Sequence, residues 1–191
     1  MTDIITEIDF SILDFIRENL ACPALDSVMP LITALANYGT LWIALAIALL
    51  IPKKTRPMGM VMAAALIMCV IVGNLLLKNL FARERPFAGN EDIWLLIKAP
   101  LDYSFPSGHT MSSFASASSV TFLPKGRFPG KAAAAMWVTA ALIGFSRLYL
   151  YVHFPSDVLG GLIIGVLIGF GAAKLFSRFD KLINGIAEKS E

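Results

Sequence analysis

Two long stretches without charged residues or histidine dominate the hydrophobicity pattern of this chain. They cover residues 27–52, with an apolar centre at 31–51, and residues 58–77. A helix needs about 20 apolar residues to cross the ~30 Å hydrocarbon layer of a bilayer. Each stretch reaches that length, so the pattern predicts two membrane-spanning helices.

Three shorter uncharged stretches follow, at residues 110–124, 132–146 and 158–173. As helices with a rise of 1.5 Å per residue, they would cover only about 22–24 Å each. Taken alone, such stretches fit the buried helices of a soluble protein equally well. Because they follow two full-length spans, we interpret them as further crossings whose ends carry polar residues at the membrane boundary. The predicted fold is therefore all-α, an integral membrane bundle of five crossing helices.

The N-terminal stretch, residues 1–26, has an amphipathic pattern instead. Six of its apolar residues share one helical face: Ile4, Ile5, Ile8, Ile12, Phe15 and Ile16. Asp9 and Asp14 would make a membrane crossing costly. We expect this stretch to form an interfacial helix that lies along the membrane.

Composition supports a membrane protein. The chain has 57% hydrophobic and 16% charged residues, against about 45–50% and 25% in soluble domains. This excludes a disordered chain and disfavours a nucleic-acid partner. We expect one domain over residues 1–191, with the bundle at 31–176 and a cytoplasmic tail at 177–191. Cys22 and Cys69 are too few for a zinc site, and we interpret them as free thiols.

The charges are sorted along the chain in a way that orients it. Ten of the 16 basic residues, but only three of the 14 acidic ones, lie in two loops and a tail that alternating crossings place on one face. The positive-inside rule makes that face cytoplasmic. The ten basic residues are Lys53, Lys54, Arg56, Lys125, Arg127, Lys131, Lys174, Arg178, Lys181 and Lys189. We therefore expect a multi-pass protein of the plasma membrane whose opposite face points outward.

Small residues predict how the helices pack. Gly161, Gly165 and Gly169 repeat at four-residue spacing, which lets the fifth predicted span approach a neighbour closely. The third predicted span is rich in serine and makes a poor lipid-facing surface, so we expect it inside the bundle.

The outward ends of the last four predicted spans carry the residues that could perform chemistry. Alternating crossings bring together three cations, two histidines and one carboxylate: Lys78, Arg85, Arg147, His109, His153 and Asp157. Arginine presents a planar fork that matches phosphate oxygens, and an anion would offset the cost of charge near hydrocarbon. One histidine can act as a nucleophile and the other as an acid, while a carboxylate four residues after His153 can orient its ring.

Each of these residues also has a purely structural interpretation. The cations could extend their charges to lipid headgroups, either histidine could be structural, and Asp157 could cap the last helix beside Ser156. Arg83 and Glu84 are interpreted as a solvated ion pair. The structural interpretations leave unexplained why three cations, two histidines and a carboxylate converge at one end of one bundle.

The same residues resemble the three-part signature of the type 2 phosphatidic acid phosphatase superfamily. Eleven residues match it in order: Lys78, Arg85, Pro86, Pro106, Ser107, Gly108, His109, Ser146, Arg147, His153 and Asp157. The resemblance covers residues 78–161 by motif and about 31–176 by architecture. It implies a membrane lipid phosphatase with a six-helix core. Only five crossings are evident, so either the N-terminal segment is the sixth element without a full crossing or the chain is a short variant.

The resemblance also implies a role for each residue. His153 would attack phosphorus, Asp157 would hold the other nitrogen of its ring, and His109 would protonate the leaving oxygen. Five residues would bind the phosphoryl oxygens: Lys78, Arg85, Ser107, Gly108 and Arg147. Because Asp157 is the only acid within a motif, we expect neither a metal nor another cofactor.

The substrate is expected to be a membrane lipid phosphate. The segment 92–105, with Trp94 and Tyr103 at headgroup depth, either borders the lipid entrance or anchors the loop passively. The resemblance is strongest to the bacterial branch of the family, and an outward site favours undecaprenyl diphosphate. Phosphatidylglycerophosphate and phosphatidic acid are alternative substrates. A membrane protein that binds or transports anions without catalysis is the alternative of another class.

Overall fold

The computed structural model describes residues 4–89, 93–124 and 128–187, with side chains as far as residue 180. Every regular element within these ranges is helical. The α-helices are α1 (Ile4–Leu20), α2 (Pro23–Ala34), α3 (Thr40–Leu50), α4 (Arg56–Cys69), α5 (Lys78–Phe81), α6 (Gly108–Thr121), α7 (Gly130–Tyr149) and α8 (Pro155–Ala187). Of the residues named above, Asp92, Lys125, Arg127 and Lys189 lie outside the described residues, as does the side chain of Lys181.

Helix α1 exposes most of the apolar face that its sequence pattern predicts. Five of the six residues point away from the protein: Ile4, Ile5, Ile8, Ile12 and Phe15. The sixth, Ile16, is buried together with Asp9 and Leu13 on the side that packs against the bundle. An exposed apolar stripe beside a packed face suits a helix in contact with lipid. Its position along the membrane stays a prediction.

The first predicted span is not one helix, so the prediction of a single helix over 31–51 is wrong. Helices α2 and α3 meet at a bend of 45°, with a 3₁₀ turn at Asn37–Gly39 between them. Tyr38 and Gly39 have φ values of 52° and 74°. A right-handed helix cannot continue through left-handed backbone, which glycine adopts at little cost. The bend leaves Asn37 exposed in the turn between α2 and α3, where its side chain contacts His109.

The second predicted span forms one long helical rod over Arg56–Phe81, 26 residues in all. It consists of α4, a π-helical stretch at Val70–Leu77 and the short α5. Among the described residues, this rod, α7 and the Pro155–Asp180 part of α8 are long and apolar enough to cross a membrane, and the bent α2–α3 pair makes a fourth candidate. Helix α6, with 14 residues, is shorter than these. The all-helical membrane bundle is confirmed, while the count of five crossings stays a prediction.

Helix α6 lies at the centre of the bundle, as its serine-rich sequence predicts. Ten of its 14 residues are buried, including four serines. The glycines of α8 face it: a Cβ atom added at Gly161 would lie 2.7 Å from the Ser107 carbonyl oxygen. The predicted close approach of two helices is therefore confirmed. This contact holds the first turn of α6 directly against the first turns of α8.

Candidate active site

His153 lies in the short connection between α7 and α8 and is only 1% exposed. Its Nε2 atom is 3.2 Å from Nη1 of Arg85. A guanidinium can only donate hydrogen bonds, so this contact requires a lone pair on Nε2 and, in the neutral ring, a proton on Nδ1. Burial, together with the positive charges of Arg85, Arg147 and Lys78, lowers the pKa of His153 well below its usual value. The imidazole is therefore neutral at physiological pH, and the lone pair of its Nε2 atom accepts the hydrogen bond from Arg85.

Asp157 lies in the first turn of α8 on the other side of the His153 ring. Its Oδ2 atom is 3.6 Å from Nδ1, longer than a direct hydrogen bond. The hydroxyl of Ser104 bridges the gap, lying 3.3 Å from Nδ1 and donating to Oδ2 at 2.5 Å. The Phe154 N–H donates to the same oxygen at 2.9 Å. The ring is thus oriented through an Asp–Ser–His chain.

Asp102 occupies the space between two of the three predicted phosphate-binding cations. One carboxylate oxygen contacts the ammonium of Lys78, and the other accepts a hydrogen bond of 2.7 Å from Nη2 of Arg85. Partial burial raises the pKa of Asp102, but the hydrogen bonds and charges of Lys78 and Arg85 outweigh that effect and lower it from 3.8 to about 2. An ionised carboxylate therefore offsets part of the positive charge of these two cations in the unliganded protein.

Arg147 closes α7 and is buried beside the same cluster. Its Nη1 atom donates to the Thr33 hydroxyl at 2.5 Å. Among the described residues, its Nε atom has no hydrogen-bond partner. A buried donor without a partner is costly, so this atom favours an acceptor such as a phosphoryl oxygen.

The first turn of α6 brings the second predicted motif to the site. Ser107 accepts a hydrogen bond from Thr110 and donates its N–H to the Asp157 carbonyl oxygen at 3.1 Å. Gly108 begins the helix, where N–H groups lack partners within the helix. Nε2 of His109 lies 2.9 Å from Oδ1 of Asn37, in the bend between α2 and α3. His109 is also near enough to act electrostatically on His153.

Arg83 does not form the solvated pair with Glu84 that the sequence suggests. Its guanidinium instead bridges two buried carboxylates, donating to Asp9 at 2.8 Å and to Asp157 at 2.7 Å. It also lies 4.0 Å from the centre of the Phe154 ring. The interpretation as a solvated pair is wrong because the chain after α5 turns inward, where a desolvated arginine is stabilised by facing carboxylates.

The structure thus brings all eight sequence-predicted site residues to one end of the bundle, and adds partners that the motif pattern does not contain. The added residues are Asp9, Thr33, Asn37, Arg83, Asp102 and Ser104. Two of them had a visible signal, since Asp102 and Ser104 lie shortly before the second motif. Asn37 also had one, because it interrupts an apolar stretch.

A bundle of apolar helices that gathers cations around a buried neutral histidine is the arrangement of a membrane phosphatase. The PAP2 superfamily matches residues 54–181, which include every motif residue, and this chain belongs to that superfamily. Curated relatives that match most of the chain include named phosphatases, which identifies the chain as a phosphoric ester hydrolase.

Two relatives and one solved structure illustrate the similarity. The chain is 33% identical over 156 residues to an undecaprenyl-diphosphatase of Sulfolobus acidocaldarius, covering 77% of this chain and 70% of the relative. It is 34% identical over 159 residues to the undecaprenyl-diphosphatase BcrC of Bacillus subtilis, covering 83% and 77%. The crystal structure of a transmembrane PAP2-type phosphatidylglycerolphosphate phosphatase from Bacillus subtilis superposes with a TM-score of 0.72 at 28% identity, covering 95% and 89%.

Proposed function

We propose that this protein hydrolyses the terminal phosphate of undecaprenyl diphosphate through a phosphohistidine at His153. The observation that carries the proposal is the hydrogen bond from Arg85 to Nε2. It directs the electron pair of a buried, neutral imidazole toward Arg85, which would release that pair when the guanidinium takes up the phosphoryl group. The proton on Nδ1 faces Ser104 and, beyond it, Asp157, which stabilise the positive charge that develops on the ring.

The first chemical step transfers the phosphoryl group to the protein. Nε2 of His153 attacks phosphorus, and the bond between phosphorus and the leaving oxygen breaks as the new N–P bond forms. His109, protonated once the anionic substrate offsets the neighbouring cations, gives a ring proton to the leaving oxygen, so lipid monophosphate departs. In the second step, water loses a proton to His109 and attacks phosphorus, which breaks the N–P bond and releases inorganic phosphate.

The cations stabilise the charge of the transition state. Lys78 and Arg85 would exchange Asp102 for the phosphoryl oxygens, and the unpartnered Nε of Arg147 would supply a further donor. Ser107 sets the start of α6, whose Gly108 N–H adds a backbone donor. Removal of the positive charge of Lys78, Arg85 or Arg147 should weaken the binding of the substrate and also the binding of the transition state.

The reaction is proposed to need no metal, since arginine and lysine supply the positive charge. Among the described residues, no group of three or more His, Cys, Asp or Glu side chains is arranged to hold a metal ion. Asp157, the carboxylate nearest to His153, is already engaged by Arg83 and Ser104. Turnover should accordingly persist in excess chelator, and a loss that magnesium restores would contradict this part of the proposal.

The site is proposed to face the extracytoplasmic side of the plasma membrane. The basic residues of the α3–α4 loop and the end of α8 lie at the helix ends remote from His153, and the positive-inside rule assigns that end to the cytoplasm. Undecaprenyl diphosphate released by cell-wall synthesis would be accessible there. Two undecaprenyl-diphosphatases among the relatives support this choice of lipid.

Phosphatidylglycerophosphate is the second candidate substrate, favoured by the likeness to the phosphatidylglycerolphosphate phosphatase of Bacillus subtilis. The two can be separated by measuring phosphate release by the purified protein from undecaprenyl diphosphate, phosphatidylglycerophosphate and phosphatidic acid, side by side in one detergent. We expect kcat/KM to be highest for undecaprenyl diphosphate. A higher value for either other lipid would overturn the choice of substrate, and wild-type turnover by His153→Ala would overturn the mechanism.

A further inference from the structure

Helix α1 carries a buried carboxylate that no motif accounts for. Asp9 is 2% exposed although it belongs to a helix whose apolar face lies outside the protein. Its Oδ1 atom accepts the Ser156 N–H at 2.9 Å, and its Oδ2 atom accepts the Ser156 hydroxyl at 2.5 Å and Arg83 at 2.8 Å. A buried charge with this many donors is fully satisfied and therefore held in one position.

Arg83 connects this carboxylate to the active site. Nη2 donates to Asp9, while Nη1 donates to Oδ1 of Asp157 and to the Ser156 hydroxyl, both at 2.7 Å. The guanidinium is planar and rigid, so fixing one nitrogen on Asp9 fixes the direction of the other. The ring of Phe154 packs against its face.

The orientation of Asp157 depends on this connection. Arg83 holds Oδ1, which leaves Oδ2 for Ser104 and the Phe154 N–H on the side of His153. Without Arg83, a short rotation of the carboxylate would remove the acceptor of the Ser104 hydroxyl. The bridge to Nδ1 of His153 would then lose its anchor.

We propose that Asp9 and Arg83 are positioning residues for phosphoryl transfer, which makes α1 a functional part of the active site. This inference rests on the proposed role of His153 as nucleophile. Asp9 acts through Arg83, and Arg83 acts through Asp157. The pair aligns the charge that stabilises the imidazolium, and it does not hold the phosphate.

If Asp9 and Arg83 position the nucleophile, their replacement should lower kcat and leave KM almost unchanged. In Asp9→Asn and Arg83→Gln, kcat should fall about tenfold or more, while KM changes less than about threefold because Lys78, Arg85 and Arg147 remain in place. Competitive inhibition by inorganic phosphate should likewise be retained, because phosphate tests only the binding cations. The double variant should be no worse than the poorer single variant, since both changes break one chain of contacts.

Asp14→Asn provides the matched control. Asp14 lies on the same helix and accepts a hydrogen bond of 2.7 Å from the Tyr151 hydroxyl in the α7–α8 connection, without contacting Arg83. This variant tests whether loosening α1 alone lowers activity, and its kcat should stay within about twofold of wild type. Asp9→Glu should recover part of the kcat that Asp9→Asn loses.

Three results would overturn the inference. The first is wild-type kcat in Asp9→Asn while His153→Ala is inactive, which would leave the proposed function intact. The second is an equal loss of kcat in Asp14→Asn, and the third is a loss confined to KM. Wild-type turnover by His153→Ala would instead show that the proposed function itself fails.

Discussion

The carboxylate of Asp102 stands where the proposed reaction needs phosphate. It bridges Lys78 and Arg85, yet its side chain is 56% exposed and belongs to a loop. A substrate phosphate carries more charge than a carboxylate and offers more acceptor oxygens, so it can displace Asp102 from both cations. At the residue scale, the Asp102 carboxylate and the substrate phosphate compete for the same two cations.

Replacement of Asp102 by asparagine should therefore strengthen anion binding. The neutral amide still offers Oδ1 to Arg85 but no longer competes by charge, so the inhibition constant of inorganic phosphate should fall about two- to tenfold. Titration of phosphate against turnover measures this change. Glu84→Gln, which removes one negative charge from the same surface depression, should have a smaller effect. Weaker inhibition in Asp102→Asn would contradict the competition.

The pKa of Asp102 also sets the pH range in which its carboxylate is ionised and competes with phosphate for the cations. Because folding lowers that pKa to about 2, the carboxylate stays ionised at every pH above about 4. Its ion pairs therefore stabilise the fold above the ordinary carboxyl pKa, and this contribution is lost as the pH falls through about 2. Between pH 5 and 9 the charge of Asp102 is therefore constant, and any pH dependence of the competition comes from the other groups.

The residues of the three motifs were predictable as site residues because their spacing along the chain matches a known three-part signature. Alternating crossings were enough to place Lys78, His109 and His153 at the same end. Nearness to the second motif was a signal for Asp102 and Ser104, but their partners were not predictable, since those contacts depend on how a loop folds back over α8. Asp9 was visible only as a charge that disfavours crossing, because its partner lies 74 residues further along the chain.

At the scale of elements, α6 and α8 form the rigid part that aligns the site. Ser107 and Asp157 are joined across this contact by a backbone hydrogen bond. Gly161 permits it, since an added Cβ atom would lie 2.7 Å from the Ser107 carbonyl oxygen. The interface between the two helices thus controls the distance between the second and third motifs.

Gly161→Val should separate these helices. Backbone atoms cannot make room as a flexible side chain can, so we expect a loss of about 1–3 kcal/mol of stability and reduced turnover. Gly171→Val on the same helix is the control, because a Cβ atom there meets nothing within 4 Å. Thermal unfolding in detergent measures both variants. An unchanged unfolding midpoint for Gly161→Val would show that the approach of the helices is not as close as described.

The bend between α2 and α3 shows what hydrophobicity could not reveal. The stretch 31–51 has the length and composition of a span, and neither property detects left-handed backbone at Tyr38 and Gly39. The Asn–Tyr–Gly sequence was the available signal, since glycine and asparagine adopt such backbone readily. The bend has a consequence for the site, because it delivers Asn37 to His109.

At the scale of the whole molecule, the proposed function requires one end of the bundle to face outward. Cys22 is exposed at the end that holds the site, where its N–H contacts the Tyr149 hydroxyl. Lys53 is exposed in the loop between α3 and α4, at the other end. Cys69 is buried. The chain therefore carries a natural reporter of its own orientation.

A membrane-impermeant maleimide should label Cys22 in intact cells. Lys53→Cys, placed in a Cys22→Ser background, should react only after the membrane is permeabilised, because the basic loops are expected on the cytoplasmic side. Cys22→Ser without a new cysteine is the background control. Labelling of residue 53, and not of Cys22, in intact cells would reverse the proposed orientation.

The central claim is that His153 becomes covalently phosphorylated during turnover. The most direct test is to mix the purified protein with undecaprenyl diphosphate labelled in its terminal phosphate, quench in alkali within one turnover, and locate the label by peptide mass spectrometry. We expect a phosphohistidine at His153 that is absent in His153→Ala. The kcat of that variant should be lower than the wild-type value by a factor of about a thousand or more. Label on another residue, or single-turnover hydrolysis by His153→Ala at the wild-type rate, would contradict the central claim.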